Sequence, residues 1–337
     1  MPKKILLLST GGTIASENTP DGKTPSFDAD KILTLVGDVG SLCEVDTHDL
    51  MRIDSSNMQP EDWKTIARAS FDGLEDYDGV VISHGTHTMA YTASALTFML
   101  QNIDKPVVLT GAQVPAGEEG SDAEKNIKDS LLFAGEGIPG VFIVFGSKVI
   151  KGCRASKTST VLFDAFESIN YPLIAKIQDK EIVYRNKPSR PKKNPQLIAS
   201  LDSRVLLLRL VPGTPPALLD IVDTINCRGL VLECFGAGGV PSERRNLVPK
   251  IRSLIDRGTI VAITTQCLTG GVDLTVYDVG RKSLRAGALS GLDMTTEALV
   301  TKLMWALGQS TDRDTVLNIM TTNFADEFTP GYKIRVT

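Results

Sequence analysis

Ile5-Leu6-Leu7-Leu8-Ser9-Thr10-Gly11-Gly12-Thr13 is an uninterrupted apolar run that breaks into hydroxyl and glycine residues. Continuous rather than alternating apolar runs are what parallel strands need when helices cover both faces of their sheet. The pattern returns at Val80-Val81-Ile82, which leads into Ser83-His84-Gly85-Thr86-His87-Thr88. Further runs lie at residues 106–109, 141–145, 205–210, 230–232 and 260–263, with helical patterns at 60–74, 88–101, 122–134 and 242–257. The alternation predicts two α/β domains with mainly parallel sheets. In such sheets ligands bind beyond the carboxyl ends of the strands, where both glycine and threonine loops fall.

At 337 residues the chain exceeds the size of one ordinary core, so a larger first domain and a smaller second one are expected. Asn186-Lys187-Pro188-Ser189-Arg190-Pro191-Lys192-Lys193-Asn194-Pro195 contains no hydrophobic residue and reads as a connector. It sets the domains at 1–187 and 205–337 with a linker over 188–204; a surface loop inside one domain is the alternative. Net charge is −4, which gives no general attraction for nucleic acid. The apolar run after Met1-Pro2-Lys3-Lys4 is too short for a signal-peptide core, and no run approaches a membrane span, so a cytoplasmic location is expected. Cys43, Cys153, Cys227, Cys234 and Cys267 are scattered without a Cys-x-x-Cys pair and read mostly as buried thiols.

The two loops, taken with Asp54-Ser55-Ser56-Asn57-Met58, Thr110-Gly111-Ala112-Gln113 and Ala155-Ser156-Lys157-Thr158, resemble the bacterial-type L-asparaginase family, most closely its cytoplasmic type I branch. Thr264-Thr265-Gln266-Cys267 and Gly291-Leu292-Asp293-Met294-Thr295-Thr296-Glu297 resemble the second domain of that branch. The resemblance implies an asparaginase-like fold, hydrolysis of L-asparagine to L-aspartate and ammonia, no cofactor, no metal, and a homodimer or homotetramer.

Cleaving an unactivated amide needs a nucleophile, a route for its proton and donors aimed at the developing oxyanion. By resemblance Thr13 is the nucleophile, while Thr86 and Lys157 form the proton-handling pair. Ser55 and Ser56 hold the substrate carboxylate, and Gly12, Gly85 and Ala112 supply backbone contacts. Each residue also has a local use: Thr13 as a turn or cap hydroxyl, Lys157 as a solvated lysine, the serines as a cap before Pro60, and Ala112 as tight packing.

Two positions depart from the family pattern. The family places an aspartate after the second-loop threonine to take the substrate's α-ammonium; this chain has His87. A neutral imidazole loses a charge-assisted contact worth roughly 1.5 to 3 kcal/mol, about tenfold to a hundredfold in affinity. His87 therefore fits a substrate without a free α-ammonium, an inactivated site that traps ligand, or a site kept for binding alone. The segment Gly22-Lys23-Thr24-Pro25-Ser26 lacks the tyrosine many relatives carry in the lid, which leaves Thr24 as the nearest hydroxyl.

Other readings are weaker. His84 and His87 with only His48 besides make a poor zinc set. Gly236-Ala237-Gly238-Gly239 resembles a dinucleotide loop but lacks its third glycine in place, and reads as a strand-end turn. Cys267 reads as a buried thiol at a strand end, or as part of the regulatory asparagine pocket that some type I relatives have. A glutamyl-tRNA amidotransferase subunit of the same fold would be expected to carry an extra amino-terminal domain and a basic surface. A silent amino-acid-binding protein and a nucleotide-binding oxidoreductase are the remaining alternatives.

Overall fold

The computed structural model describes residues 2–20 and 22–334. They divide into two compact units, the first ending at Ala199 and the second starting at Ser200. Among the described residues no helix is long and apolar enough to cross a membrane.

In the first unit the opening run forms β1 (Lys4–Gly11), followed by a hairpin of β2 (Ser16–Thr19) and β3 (Gly22–Pro25), then β4 (Glu44–Ile53) and β5 (Gly79–Ser83). After them come a two-residue β6 (Leu100–Gln101), β7 (Pro106–Thr110), β8 (Gly140–Phe145) and β9 (Lys148–Lys151). A hairpin of β10 (Ala155–Lys157) and β11 (Phe166–Ser168) precedes β12 (Ala175–Gln178), β13 (Glu181–Tyr184) and a two-residue β14 (Gln196–Leu197). Among the described residues eight strands make one sheet in the order β13-β12-β9-β8-β7-β5-β1-β4. From β8 to β4 every neighbour is parallel. The register sets Ser9 beside Ser83 and Ser83 beside Thr110, so the loops after β1, β5 and β7 leave the sheet side by side.

Helices α1 (Ala29–Val36) and α4 (Ala123–Gly135) pack with Ile5, Leu7, Val81 and Val108 on one face. On the other, α2 (Pro60–Asp76) lies so close at Gly73 that a Cβ there would meet Leu6 and Val80. Helix α3 (Met89–Met99) is buried along nearly its whole length, which is why its sequence shows no polar stripe. It ends two residues before the predicted limit because Leu100 and Gln101 pair antiparallel with Leu197 and Gln196. That pairing also ties residues 196–197, in the middle of the predicted 188–204 linker, to the first unit.

The second unit carries a four-stranded parallel sheet among the described residues: β15 (Val205–Arg209), β16 (Gly229–Cys234), β17 (Ile260–Thr265) and β18 (Leu289–Ser290). The predicted helix at 242–257 is shorter, Val248–Asp256. Pro249 sits in its first turn and the Asn246 side chain accepts the Val248 N–H at 3.0 Å, the usual signature of a helix start. The Gly236–Gly239 segment is a turn closed by the Gly239 N–H on the Phe235 carbonyl at 2.7 Å. Cys43, Cys153 and Cys234 are buried, but Cys267 is exposed. The expectation of a buried thiol there fails because β17 ends at Thr265, whose hydroxyl accepts the Cys267 N–H at 3.1 Å and turns the chain outward.

Candidate active site

Four neighbouring parallel strands, β7, β5, β1 and β4, deliver their carboxyl-end loops to one place. Gly12 has φ +77° and ψ −177°, a backbone region open essentially to glycine. A Cβ on Gly12 would collide with the Gly85 backbone, and one on Gly85 would collide with the Ser55 hydroxyl. Gly12, Gly85 and Ser55 therefore touch, although 73 and 30 residues of sequence separate them. The Gly12 N–H also donates to the Ile53 carbonyl at 2.9 Å, tying the β1 loop to the end of β4. Thr13 follows directly as the first residue of a short 3-10 turn and is half-buried. Ser16 Oγ donates back to the Gly12 carbonyl at 2.9 Å.

Lys157 reaches the second loop from β10. Its Nζ donates to Thr86 Oγ1 at 2.7 Å and approaches Gln113 Oε1 at 3.4 Å. Burial pushes the Lys157 ammonium below its ordinary pKa, because the charged form loses hydration. Thr86 Oγ1 lies 3.3 Å from Gln113 Oε1. Gln113 follows Ala112, which is fully buried. The Asp122 carboxylate accepts the N–H groups of both Gln113 and Val114.

The Ser56 and His87 side of these loops is more exposed. Ser56 Oγ lies 3.0 Å from His87 Nδ1, and Asp54 Oδ1 lies 3.8 Å from the same nitrogen. Burial pushes the Asp54 carboxyl up, but hydrogen bonds from the Ser56 amide and hydroxyl, with His87 nearby, outweigh it and leave the pKa lowered. Ser55 faces inward, and its buried hydroxyl has no hydrogen-bond partner among the described residues. Thr88 Oγ1 donates to the Ser55 carbonyl at 2.7 Å and pins this loop to the one after β5. Thr24 is exposed on the β2–β3 hairpin, opposite Glu17.

His84 lies beneath the loop and is fully buried. Its Nδ1 sits 2.7 Å from the Gly85 carbonyl, which can only accept, so Nδ1 carries the proton. Nε2 then accepts from Thr92 Oγ1 at 3.0 Å, and that oxygen accepts from Trp63 Nε1 at 3.1 Å. Desolvation holds the imidazole down to about 4, against a smaller upward pull from the Gly85 carbonyl. With both ring nitrogens engaged inside the protein, His84 presents none to a metal.

The sequence-chosen residues thus meet in three groups: Gly12, Gly85 and Ser55; Thr86 and Lys157; and Ser56 and His87. Sequence reasoning missed Gln113, Asp54 and His84 as site-forming side chains. Gln113 and Asp54 both lie inside the quoted motifs, as partly buried side chains just beyond strand ends.

A threonine after a glycine turn, a hydroxyl–lysine pair and closely packed backbone amides at the ends of parallel strands suit an amide hydrolase of the α/β kind. Comparison with known proteins places it further. Residues 4–190 match the family description "Asparaginase, N-terminal" and residues 204–320 match "Glutaminase/Asparaginase C-terminal domain". The chain belongs to the asparaginase family. It is 46% identical to the L-asparaginase of Thermococcus kodakarensis over 97% of this chain and 99% of that one, and the solved structure of that thermostable enzyme superposes with a TM-score of 0.92. L-asparaginase I of Vibrio cholerae superposes with a TM-score of 0.88 at 30% identity, covering 98% of this chain and 100% of that one. A glutamyl-tRNA(Gln) amidotransferase polypeptide of Pyrococcus furiosus is 36% identical over 98% of this chain and 77% of its own length.

Proposed function

We propose that this chain hydrolyses the side-chain amide of L-asparagine, giving L-aspartate and ammonia. Thr13 Oγ attacks the amide carbon while its proton passes through the Thr86 hydroxyl to Lys157 Nζ. The tetrahedral intermediate collapses, the proton returns to the leaving nitrogen, and ammonia departs from an ester on Thr13. Water then attacks the ester, which releases aspartate and regenerates the threonine. Gly12, Gly85 and Ala112 contribute the backbone surroundings of the reacting carbonyl. Ser55 and Ser56 hold the α-carboxylate, and His87 stands at the α-ammonium end. This chemistry uses no cofactor or metal.

The 2.7 Å bond between Lys157 Nζ and Thr86 Oγ1 carries the reading, because a lysine with a depressed pKa beside a hydroxyl is what a proton relay requires. The unpartnered Ser55 hydroxyl adds to it: leaving a buried hydroxyl unbonded costs about 1 to 3 kcal/mol, which a substrate oxygen would offset. The type I reading brings a cytoplasmic location, a homodimer or homotetramer, and neither nucleic acid nor membrane as partner.

A second reading, an asparagine derivative without a free α-ammonium as substrate, is favoured by His87 lying on Ser56 where a carboxylate would otherwise take that ammonium. Ammonia release from asparagine, glutamine and N-acyl-asparagine separates the two. Asparagine is expected to be the best of the three; preference for the acylated amide would transfer the assignment, and release from none would leave a binding protein.

A further inference from the structure

The Thr86–Lys157 pair has a third member that does not titrate. Gln113 Nε2 donates to the Leu162 carbonyl at 3.1 Å, and a carbonyl only accepts, so this contact fixes which end of the amide is nitrogen. Oε1 therefore faces Thr86 Oγ1 at 3.3 Å and Lys157 Nζ at 3.4 Å. The same residue is held at its backbone, where N–H donates to the Asp122 carboxylate at 2.9 and 3.1 Å. Gln113 is thus anchored at both ends with one acceptor left to point at the pair. Among the described residues no carboxylate forms an ion pair with Lys157, and burial is the cause of its lowered pKa.

We propose that Gln113 is the positioning residue of the proton transfer, accepting a hydrogen bond from whichever of Thr86 and Lys157 has one to give. The proposal rests on the reading of Lys157 as the proton acceptor. When the lysine is charged, Nζ donates to Thr86 Oγ1 and the threonine hydroxyl turns its proton to Gln113 Oε1. When the lysine is neutral, its lone pair takes the hydroxyl proton and one of its N–H groups turns to Gln113 Oε1. Both states leave the threonine hydroxyl and the facing amine proton with an acceptor, so the proton can move between Oγ1 and Nζ without stranding a donor. An amide oxygen does this without choosing the charge state. A carboxylate in its place would hold Lys157 as an ammonium, and an aliphatic side chain would orphan one donor.

The test compares the full chain with Gln113→Glu and Gln113→Met by two independent readouts. One is the pH dependence of kcat and KM for asparagine. The other is the titration of the Lys157 ε-amine itself, followed by competitive labelling with trace acetic anhydride and peptide mass spectrometry. Gln113→Glu is expected to raise the Lys157 pKa by about one to three units and to move the ascending limb of kcat upward by the same amount. Gln113→Met is expected to lower kcat at least about tenfold while KM stays within about threefold. An unchanged Lys157 titration in Gln113→Glu, or an unchanged kcat in Gln113→Met, overturns the proposal. A Lys157 titration that moves while the kcat limb stays would support Gln113's hold on the lysine and remove Lys157 from the reaction, so the mechanism would fail separately from the contact.

Discussion

His84 and His87 stand three residues apart in one loop and do opposite work. His84 is fully buried, with its tautomer dictated by the Gly85 carbonyl below and the Thr92 hydroxyl behind. His87 has about half of its side chain in solvent, and its polar neighbours among the described residues are Ser56 and Asp54, both short polar groups on a neighbouring loop. The buried ring holds the loop in shape, and the exposed one is the ring we propose to stand at the substrate's α-ammonium end. The same division separates the neighbouring side chains: Lys157 is half-buried beside the buried Thr86, where a lysine's pKa falls, and Ser56 and Asp54 lie on the more exposed side.

The sharpest way to break this division is Lys157→Met, which removes the only titratable partner of Thr86 among the described residues. Ammonia release from asparagine is expected to fall by about 10² to 10⁴, the usual worth of a positioned acid–base group; a loss below about tenfold would place the proton elsewhere. In the unmodified chain the ascending limb of kcat should lie below the ordinary lysine range, because burial favours the neutral amine.

His84 predicts a stability effect. Its folded pKa of about 4 lies below the unfolded value near 6.5, so the unfolded chain binds the proton first as pH falls. Stability should therefore decline between pH about 6.5 and 4, by on the order of 3 kcal/mol from this group. Chemical denaturation across that window should show a shallower slope for His84→Gln; an identical slope would mean that the buried ring does not stay neutral.

His87→Asp is a smaller change on the exposed side. Restoring a carboxylate at the ammonium end should speed asparagine hydrolysis at least about tenfold. Equal turnover by both chains would show that His87 costs the site nothing. Smallest of all, Ser56→Ala should raise KM for asparagine about twofold to fivefold with little change in kcat, because Ser56 is exposed and Ser55 retains its inward hydroxyl.

The sequence made the buried half of the molecule easiest to read. β1, β5, β7, β8, β16 and β17 are continuous apolar runs that fall where their composition places them. β4 gave no such signal, because an edge strand with Glu44, Asp46, His48 and Asp49 along it does not look like a buried run. The helix over Thr296–Gln309 hides for another reason: it carries Lys302, fully buried against Glu327 at 2.6 Å, where a sequence pattern would expect solvent. The contact that joins Gly12 to Gly85 and Ser55 was legible only as a set of glycines and hydroxyls at strand ends. Gln113 escaped because an amide does not titrate, and its importance lies in three partners distant in sequence. His84, in the sequence a member of a poor zinc set, has both ring nitrogens engaged inside the protein, which no local pattern shows.

In the proposed reaction the Thr13 hydroxyl performs the attack. Thr13→Val, assayed for ammonia release from asparagine and, by calorimetry, for aspartate binding, tests this role most directly. No release above the buffer rate, with binding retained, is expected. Release within about tenfold of the parent chain would contradict that role and move the nucleophile to another residue.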